Sequence, residues 1–220
     1  QALEAWLILT PVLLYYGLFA IVPVVANVGA SLTHWNGITA PEWAGLENYV
    51  RFFRDPFYQR IFLNTTVFTV VSMIIGIPLG LFTAILLNQK VLGMGLYRSL
   101  WYVPVVTSAA IMSQVVRLFI SPYSGAFNMI LRALGRPEVI WTIDAQAMRT
   151  VIVGFSVWRG VGGIMILYLA ALQSIPPELY EAAMVDGANA VARFWYITVP
   201  LLRHMTLFVV VTGIIGGFQI

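Results

Sequence analysis

Residues 61–88 read IFLNTTVFTVVSMIIGIPLGLFTAILLN, a run of 28 positions without a charged side chain. A helix needs about 20 predominantly apolar residues to cross the hydrocarbon core of a bilayer. The run is long enough for one crossing. It therefore predicts a membrane-spanning helix and makes a bilayer, rather than water, the solvent of this part of the chain.

Four further uncharged runs follow the same pattern, at 7–33, 99–116, 160–177 and 205–220. The chain is 60% hydrophobic and 10% charged, whereas soluble domains carry about 25% charged residues. The five runs predict an all-α fold, a polytopic transmembrane helical bundle. The first run exceeds a signal-peptide core of about 7–15 residues, so a retained helix is expected. The chain starts at Gln1 and ends inside the fifth run, so we expect it to be trimmed at both ends.

Small residues four positions apart predict close contacts between spans. Gly76 and Gly80 form one such pair, and Gly213 and Gly217 form another. Spacing of this kind puts small residues on one helix face, where a second backbone can approach. Packing within the chain is favoured here over a dedicated dimer motif.

Several classes of function lack sequence support. The twelve Lys and Arg residues are scattered singly between the runs, which argues against nucleic acid as a partner. Without cysteine there is no thiolate metal site or cysteine nucleophile, and no HExxH or GxSxG pattern occurs. We therefore predict no catalytic and no metal-binding residues.

The sequence also lacks a phosphate-binding loop, which needs a lysine after a glycine, because the single lysine, Lys90, follows Gln89. Nucleotide chemistry would have to come from a partner.

A polar hairpin separates the fourth and fifth runs. Ser174 is predicted to cap a helix whose first turn holds Pro176, Pro177 and Glu178. Gly187 lies where a C-terminal glycine reverses the chain. The hairpin is predicted to leave the bilayer and to offer a docking surface.

A second helix of the hairpin is predicted after the reversal. Its apolar positions recur three and four residues apart, at Ala190, Phe194 and Ile197. Asn189 and Arg193 are expected in water.

This hairpin resembles the EAA loop of the permeases of bacterial ABC importers. The matching positions are Glu181, Ala182, Ala183, Asp186, Gly187, Ala188, Phe194, Ile197 and Pro200, with Val199 where the family usually has Leu. The resemblance extends over nearly the whole chain and looks closest to sugar permeases of the maltose-permease type. Its other features are 45–49, Asn64 with Thr65, Tyr97 with Arg98 and Pro104, Gly125 with Asn128, and 169–176.

The resemblance implies a transmembrane permease domain over 1–220 with a cytoplasmic coupling loop over 174–200 and a sixth helix beyond the C-terminus. It implies a multi-pass protein of the bacterial inner membrane that forms the path for a sugar, and an oligosaccharide is expected. The implied partners are a second permease in a heterodimer, an extracytoplasmic solute-binding protein and two ATP-binding cassette ATPase subunits. ATP and Mg would lie on the ATPases. The residues that would couple ATP hydrolysis to transport are Glu181, Ala182, Ala183, Asp186, Gly187, Ala188, Phe194 and Pro200. The alternative is a secondary transporter or channel subunit, which would show inverted repeats and intramembrane ion sites.

The number of Lys and Arg residues on each side of the membrane does not support a cytoplasmic hairpin. Counting crossings places segments 34–60 and 121–149 on one side of the membrane and segments 89–98 and 173–203, which include the hairpin, on the other. The first pair holds six Lys and Arg residues and the second pair holds four. The positive-inside rule therefore points away from a cytoplasmic hairpin. The orientation rests on the resemblance.

The substrate path has four candidate residues. Arg159 is a charge set within an apolar stretch, and such charges usually face a bundle interior. If residues 160–177 alone span the bilayer, however, Trp158 and Arg159 lie at its interface as an anchor and a snorkelling cation. Trp158, Tyr168 and Gln219 could line a sugar cavity by stacking and hydrogen bonding, although packing is favoured for each.

Overall fold

The computed structural model describes residues 2–89 and 92–219. Lys90, which entered the charge count, lies outside the described residues. The chain forms two compact units, Gln1–Leu63 and Asn64–Ile220. They are described separately below.

The first unit is a long helix followed by a small ribbon and an amphipathic helix. Its elements are α1 (Ala2–Tyr16), a π-helical turn (Gly17–Ile21), α2 (Val22–Ala30), β1 (Thr33–His34), β2 (Glu42–Trp43), α3 (Glu47–Arg54) and the start of α4 (Pro56–Leu87). In the π-helical turn Val22 N–H donates to the carbonyl of Gly17, five residues back. Pro23 follows at once and has no N–H to donate. The widened turn therefore keeps α1 and α2 in one continuous helix.

The polar segment after α2 holds a two-stranded ribbon that the sequence did not predict. β1 and β2 pair antiparallel, with Thr33 opposite Trp43. The Asn48 amide of α3 donates to the carbonyls of Ser31 and Thr33, both at 2.9 Å. The Tyr49 hydroxyl contacts the Ser31 hydroxyl at 2.7 Å. These contacts give the 45–49 motif a structural role, since they fix α3 against the chain that leaves α2.

The second unit is built from helices throughout its described residues. Its elements are the rest of α4, α5 (Met94–Val106), α6 (Ala109–Ile120), α7 (Ala126–Ala133), α8 (Ala145–Gln173), α9 (Pro177–Val185), α10 (Ala190–Arg193), a π-helical turn (Phe194–Thr198), α11 (Val199–Leu201) and α12 (Arg203–Gly217).

Three described helices are long and apolar enough to cross a membrane: Trp6–Ala30, Pro56–Leu87 and Ala145–Gln173. Two further pairs of helices meet the same criteria of length and apolar composition when each pair is counted as one crossing. Met94–Val106 with Ala109–Ile120 bends by 96°, and Ala190–Leu201 with Arg203–Gly217 bends by 62°. The all-α transmembrane fold is thereby confirmed. The predicted five spans correspond to the three long helices plus the two bent pairs.

The third predicted span, 99–116, is not one straight helix. α5 ends at Val106, and the next two residues, Thr107 and Ser108, take extended backbone angles, with ψ of 134° and 147°. The Ser108 hydroxyl then accepts from Ile111 N–H at 3.4 Å as the cap of α6. Hydropathy missed this break because Thr and Ser carry no charge, although both favour caps and turns over helix interiors.

The helix of the fourth predicted span begins earlier and ends sooner than the uncharged run 160–177. α8 begins after Asp144, whose carboxylate accepts from Gln146 N–H and Ala147 N–H at 2.9 Å. It continues for 29 residues and ends at Gln173. A search for uncharged runs cannot find this start, because Arg149 and Arg159 both lie within the helix.

The core of the second unit lies where α4, α8 and α12 meet. Its buried residues are Ala84, Leu87, Met165, Tyr168, Leu169, Leu172, Ile175, Leu202 and Val209. A Cβ at Gly80 would collide with the side chain of Ile164 on α8, and one at Gly217 would collide with Thr69 on α4. The prediction that these glycines serve packing within the chain is therefore confirmed.

Candidate functional site

The hairpin, residues 174–200, begins differently from its prediction. Ser174 does not cap the next helix; its hydroxyl donates back to the carbonyl of Ala171 at 2.8 Å and closes the end of α8. The N-cap of α9 is Pro176, with Pro177 as the first helical residue. Proline suits that position because its fixed φ matches a helix start and an N–H is not needed there.

The chain reverses at Gly187 as the sequence predicts. Gly187 has φ +81°, a conformation that glycine adopts without steric cost. Gly187 N–H donates to the carbonyl of Met184 at 3.1 Å, and Ala188 N–H donates to that of Ala183 at 2.8 Å. These two bonds form a Schellman motif, which satisfies carbonyls at the end of α9. The match at Ala183, Gly187 and Ala188 thus has a backbone explanation.

The second arm starts at Asn189, whose side-chain oxygen accepts from Ala192 N–H at 2.8 Å. α10 widens into the π-helical turn at Phe194, and Val199 N–H donates to the carbonyl of Phe194, five residues back. Pro200 follows without a donor, as Pro23 does in the first unit. Phe194 and Pro200 therefore mark the two ends of a locally widened helix, a feature that is frequent at functional sites.

One side-chain bond joins the two arms. The hydroxyls of Tyr180 on α9 and Thr198 on the second arm lie 3.0 Å apart. Sequence reasoning missed both residues, because 18 positions separate them and neither carries a charge. The expectation for Arg193 was partly wrong, since its Nε atom is buried without a hydrogen-bond partner among the described residues.

The hairpin presents charged and large apolar side chains to solvent. Glu181, Ala182 and Asp186 are exposed, and Val185 and Tyr196 are 89% and 82% exposed. Other apolar residues exposed on the hairpin are Leu179, Met184, Val191 and Trp195. Contiguous exposed apolar residues rimmed by polar ones mark interaction surfaces. The sequence indicates this surface by placing Val, Trp and Tyr in a segment that is predicted to be exposed to water.

At the opposite end of α8 lies the connector, residues 121–144. Asn128 is fully buried there and uses both ends of its amide. It donates to the carbonyls of Pro122 at 2.9 Å and Val139 at 3.0 Å, and it accepts from Val139 N–H at 3.1 Å and Trp141 Nε1–H at 3.0 Å. A Cβ at Gly125 would collide with the Ser121 backbone. The Gly125 and Asn128 motif is thus structural.

Arg159 is the central residue of α8. Any window of about 20 residues within this helix leaves Arg159 at least about 7 Å from the window's edge, at 1.5 Å per residue. The helix begins before residue 160, so a span with Arg159 inside it fits the length of α8. The Arg159 side chain is exposed on the single chain, and it has no ion-pair or hydrogen-bond partner among the described residues.

The other three candidates for the path occupy different surroundings. Trp158 is part-exposed and meets Phe155 edge to face at 5.8 Å. Gln219 is exposed just after α12. Tyr168 is fully buried in the core, where its hydroxyl donates to Thr206 Oγ1 at 3.0 Å. The burial of Tyr168 agrees with a role in packing rather than in the substrate path. The side chains of Trp158, Arg159 and Gln219 are exposed and can contact a substrate or another subunit.

The fold and the hairpin together define a polytopic α-helical membrane protein that carries an exposed, rigidly capped helical hairpin. Residues 37–219 match the family described as the binding-protein-dependent transport system inner membrane component. The chain belongs to this family and is a permease of the ABC importer class. In the described residues, no three His, Asp or Glu side chains are placed to hold a metal ion.

Among its relatives is the probable ABC transporter permease YurN of Bacillus subtilis, 32% identical over 98% of this chain and 75% of that protein. The arabinooligosaccharide transport permease AraP of Halalkalibacterium halodurans is 33% identical over all of this chain and 69% of that protein. A bacterial alginate ABC transporter, solved with a periplasmic protein bound to alginate pentasaccharide, matches with a TM-score of 0.80 and 25% identity. That match covers 96% of this chain and 70% of the solved one.

Proposed function

We propose that this chain is the membrane-spanning subunit of an ATP-driven importer and forms part of the path for a sugar, an oligosaccharide. Two relatives support the substrate class, since one is named for arabinooligosaccharides and another for alginate. The observation that carries the ATP-driven part is the hairpin. Its backbone is closed by its own caps while its Glu181, Val185 and Tyr196 side chains point into solvent.

The hairpin would dock on an ATPase subunit in the cytoplasm. Glu181 and Asp186 would supply charged contacts and the apolar residues would enter a groove on the partner. Ala182, Ala183, Gly187 and Ala188 keep the reversal compact, and Phe194 and Pro200 connect it through the π-helical turn to α12. Because each arm continues toward a helix of the bundle, movement of the docked hairpin would be transmitted to α8 and α12. ATP and Mg would be held by two ATPase subunits.

The remaining partners follow from surfaces that the single chain leaves uncovered. The helix Trp6–Ala30 has none of its apolar window buried within the chain, so lipid and a second permease subunit, in a heterodimer, would cover it. A solute-binding protein would dock on the side opposite the hairpin, as the periplasmic protein in the alginate transporter suggests. The location would be a bacterial inner membrane.

The coupling role can be tested with two glycines that share one conformation. Gly187 has φ +81° in the hairpin and Gly135 has φ +67° in the connector, and neither has a neighbour that a Cβ would meet. Val at either position costs about 1–3 kcal/mol of backbone strain. Gly187→Val should reduce ATPase association and substrate-stimulated ATP hydrolysis in purified complexes in lipid, whereas Gly135→Val should leave ATPase association unchanged.

Glu181→Ala provides an independent measure at the same surface. Loss of a charged contact that is buried on docking should weaken ATPase association by roughly 2–5 kcal/mol. Full stimulated hydrolysis in both Gly187→Val and Glu181→Ala would refute the coupling role. It would favour the alternative, a secondary transporter or channel subunit without an ATPase partner.

The path can be tested at Arg159. Arg159→Ala should impair uptake with the complex still assembled, and the loss should differ between neutral and acidic oligosaccharides because a guanidinium binds carboxylates more strongly than hydroxyls. Arg159→Lys, which keeps the charge, is the matched control. Unchanged uptake by Arg159→Ala would place this residue outside the path.

A further inference from the structure

A cavity of about 240 Å³ lies beneath the hairpin, against the last turns of α4 and α8. Asn88 and Leu172 line it from those helix ends, and Tyr180, Arg193 and Thr198 line it from the hairpin. Its volume corresponds to about eight water molecules at roughly 30 Å³ each. Asn88 and Ala190 are both exposed at its edge, so the cavity is open to solvent.

Arg193 is a cation without a counter-charge in this cavity. Its Nε atom is buried and has no hydrogen-bond partner. The ion pairs found among the described residues involve other side chains. A buried donor left unpaired is unfavourable, and more so when the group is charged. Arg193 is held in this position because it ends α10 directly before the π-helical turn.

The other polar groups of the cavity suit an anion. The Asn88 amide can donate hydrogen bonds. Of the Tyr180 and Thr198 hydroxyls one can also donate, since the other uses its proton in the bond that joins the pair. No Asp or Glu is among the described residues that line it. One guanidinium, one amide and one free hydroxyl donor around an open space match a group that carries several acceptor oxygens and a negative charge.

We propose that this cavity binds a phosphate-class oxyanion, with Arg193 as its principal ligand. Guanidinium binds phosphate oxygens through two parallel hydrogen bonds. The oxyanion is either free phosphate or the phosphodiester of an anionic lipid headgroup at the membrane surface. Since Tyr180 and Thr198 join the two arms of the hairpin at this cavity, an occupant stabilises the hairpin against the ends of α4 and α8. The site regulates the mobility of the hairpin and does not depend on which solute is transported.

The test uses the lack of native cysteine in this chain. In the full-length permease within its assembled transporter, Asn88→Cys places a reporter in the cavity, and Gln89→Cys places a control on the next residue, which does not line it. Labelling by an uncharged maleimide is followed in a nonionic, phosphate-free detergent as inorganic phosphate is added. Labelling of Asn88→Cys should slow by about tenfold at roughly ten times the Kd, because the free fraction falls as 1/(1 + [L]/Kd). Gln89→Cys should not respond.

A second arm distinguishes the two sources of the oxyanion. The same reporters are labelled in phosphate-free buffer in nanodiscs of phosphatidylglycerol. Slowing in detergent with phosphate identifies the free anion, and slowing in nanodiscs alone identifies the headgroup. Arg193→Gln should abolish the protection and Arg193→Lys should retain part of it. The proposal is overturned if neither arm slows Asn88→Cys labelling, or if Gln89→Cys or the Arg193→Gln protein slows equally.

Discussion

The connector and the hairpin leave opposite ends of α8, and they reverse the chain with the same backbone device. At Gly135 the N–H groups of Gly135 and Arg136 donate to the carbonyls of Arg132 and Leu131, as those of Gly187 and Ala188 do to Met184 and Ala183. What differs is the side chain that completes each segment. The connector encloses the fully satisfied amide of Asn128, whereas the hairpin closes with one hydroxyl pair, Tyr180 and Thr198.

This difference separates a segment that stabilises itself from one prepared for a partner. Where a buried side chain makes four hydrogen bonds, the surrounding segment is fixed from inside and needs no external contact. Where backbone caps supply most of the order, the side chains remain outside. In the hairpin those side chains include Val185 and Tyr196. Under the proposed coupling role, its backbone order would transmit movement and its exposed side chains would bind the ATPase.

The largest expected effect is the side of the membrane from which a thiol reagent can reach the connector and the hairpin, because labelling should occur from one side only. Ala133→Cys in the connector and Asn189→Cys in the hairpin place one thiol at each end of α8, in a chain without native cysteine. An impermeant thiol reagent should label Ala133→Cys only from outside and Asn189→Cys only from the cytoplasm. The reversed pattern would support the charge count over the resemblance and remove the hairpin from the ATPase side.

Asn128 should show the largest effect on stability. Asn128→Ala leaves part-buried polar groups of Pro122, Val139 and Trp141 without these partners, which should cost roughly 2–5 kcal/mol of unfolding free energy. Thermal unfolding of the full-length permease in detergent measures this loss. Asn36→Ala is the matched control, because the Asn36 amide oxygen also accepts from two N–H groups, those of Ile38 and Thr39, but Asn36 is exposed, so water can replace it. An equal loss in the two variants would contradict the role given to the buried amide.

Substitution of Val185 should weaken ATPase association without changing stability, the reverse of what is expected for Asn128. Val185→Ser removes an exposed apolar side chain, so the unfolding temperature should stay the same. If Val185 packs in a groove on the ATPase, association should weaken by about 1–2 kcal/mol, or roughly 5–30-fold. Leu134→Ser is the control, since Leu134 is a large exposed apolar residue of the connector. Equal weakening by both variants would mean that the hairpin has no special role in docking.

The sequence predicted features that rest on local chemistry and missed those that rest on distant contacts. Gly187 and Ala183 could be predicted because a helix end, a glycine and a reversal lie within a few residues. The start of α8 could not, because Arg149 interrupts the apolar run, and its guanidinium finds a partner in the amide of Asn64 at 3.2 Å, 85 positions away. The break at Thr107 and Ser108 escaped because hydropathy does not register a neutral cap.

The same reasoning explains what could be predicted of the site. The reversal and the exposed charges of the hairpin follow from turn chemistry, and the family resemblance names its coupling residues. The place of Arg159 depends on where α8 starts and ends, which the uncharged runs set wrongly. The buried Nε of Arg193 depends on the π-helical turn and on helix ends about 20 and 100 positions away along the chain. No pattern within the hairpin indicates it.

Tyr180 should show the smallest effect, and a measurable one. Tyr180→Phe removes the hydroxyl that contacts Thr198 and leaves the ring in place, so the Thr198 hydroxyl, which is buried, loses its partner across the hairpin. A hydrogen bond of this kind contributes about 1 kcal/mol, which corresponds to roughly fivefold faster hydrogen exchange if local opening of the second arm limits the rate. Exchange of the 190–200 amides in the full-length permease measures this, and connector amides should not change. Tyr196→Phe is the control, because Tyr196 is 82% exposed. If Tyr180→Phe leaves exchange unchanged, the backbone caps alone hold the hairpin, and its contrast with the connector becomes sharper still.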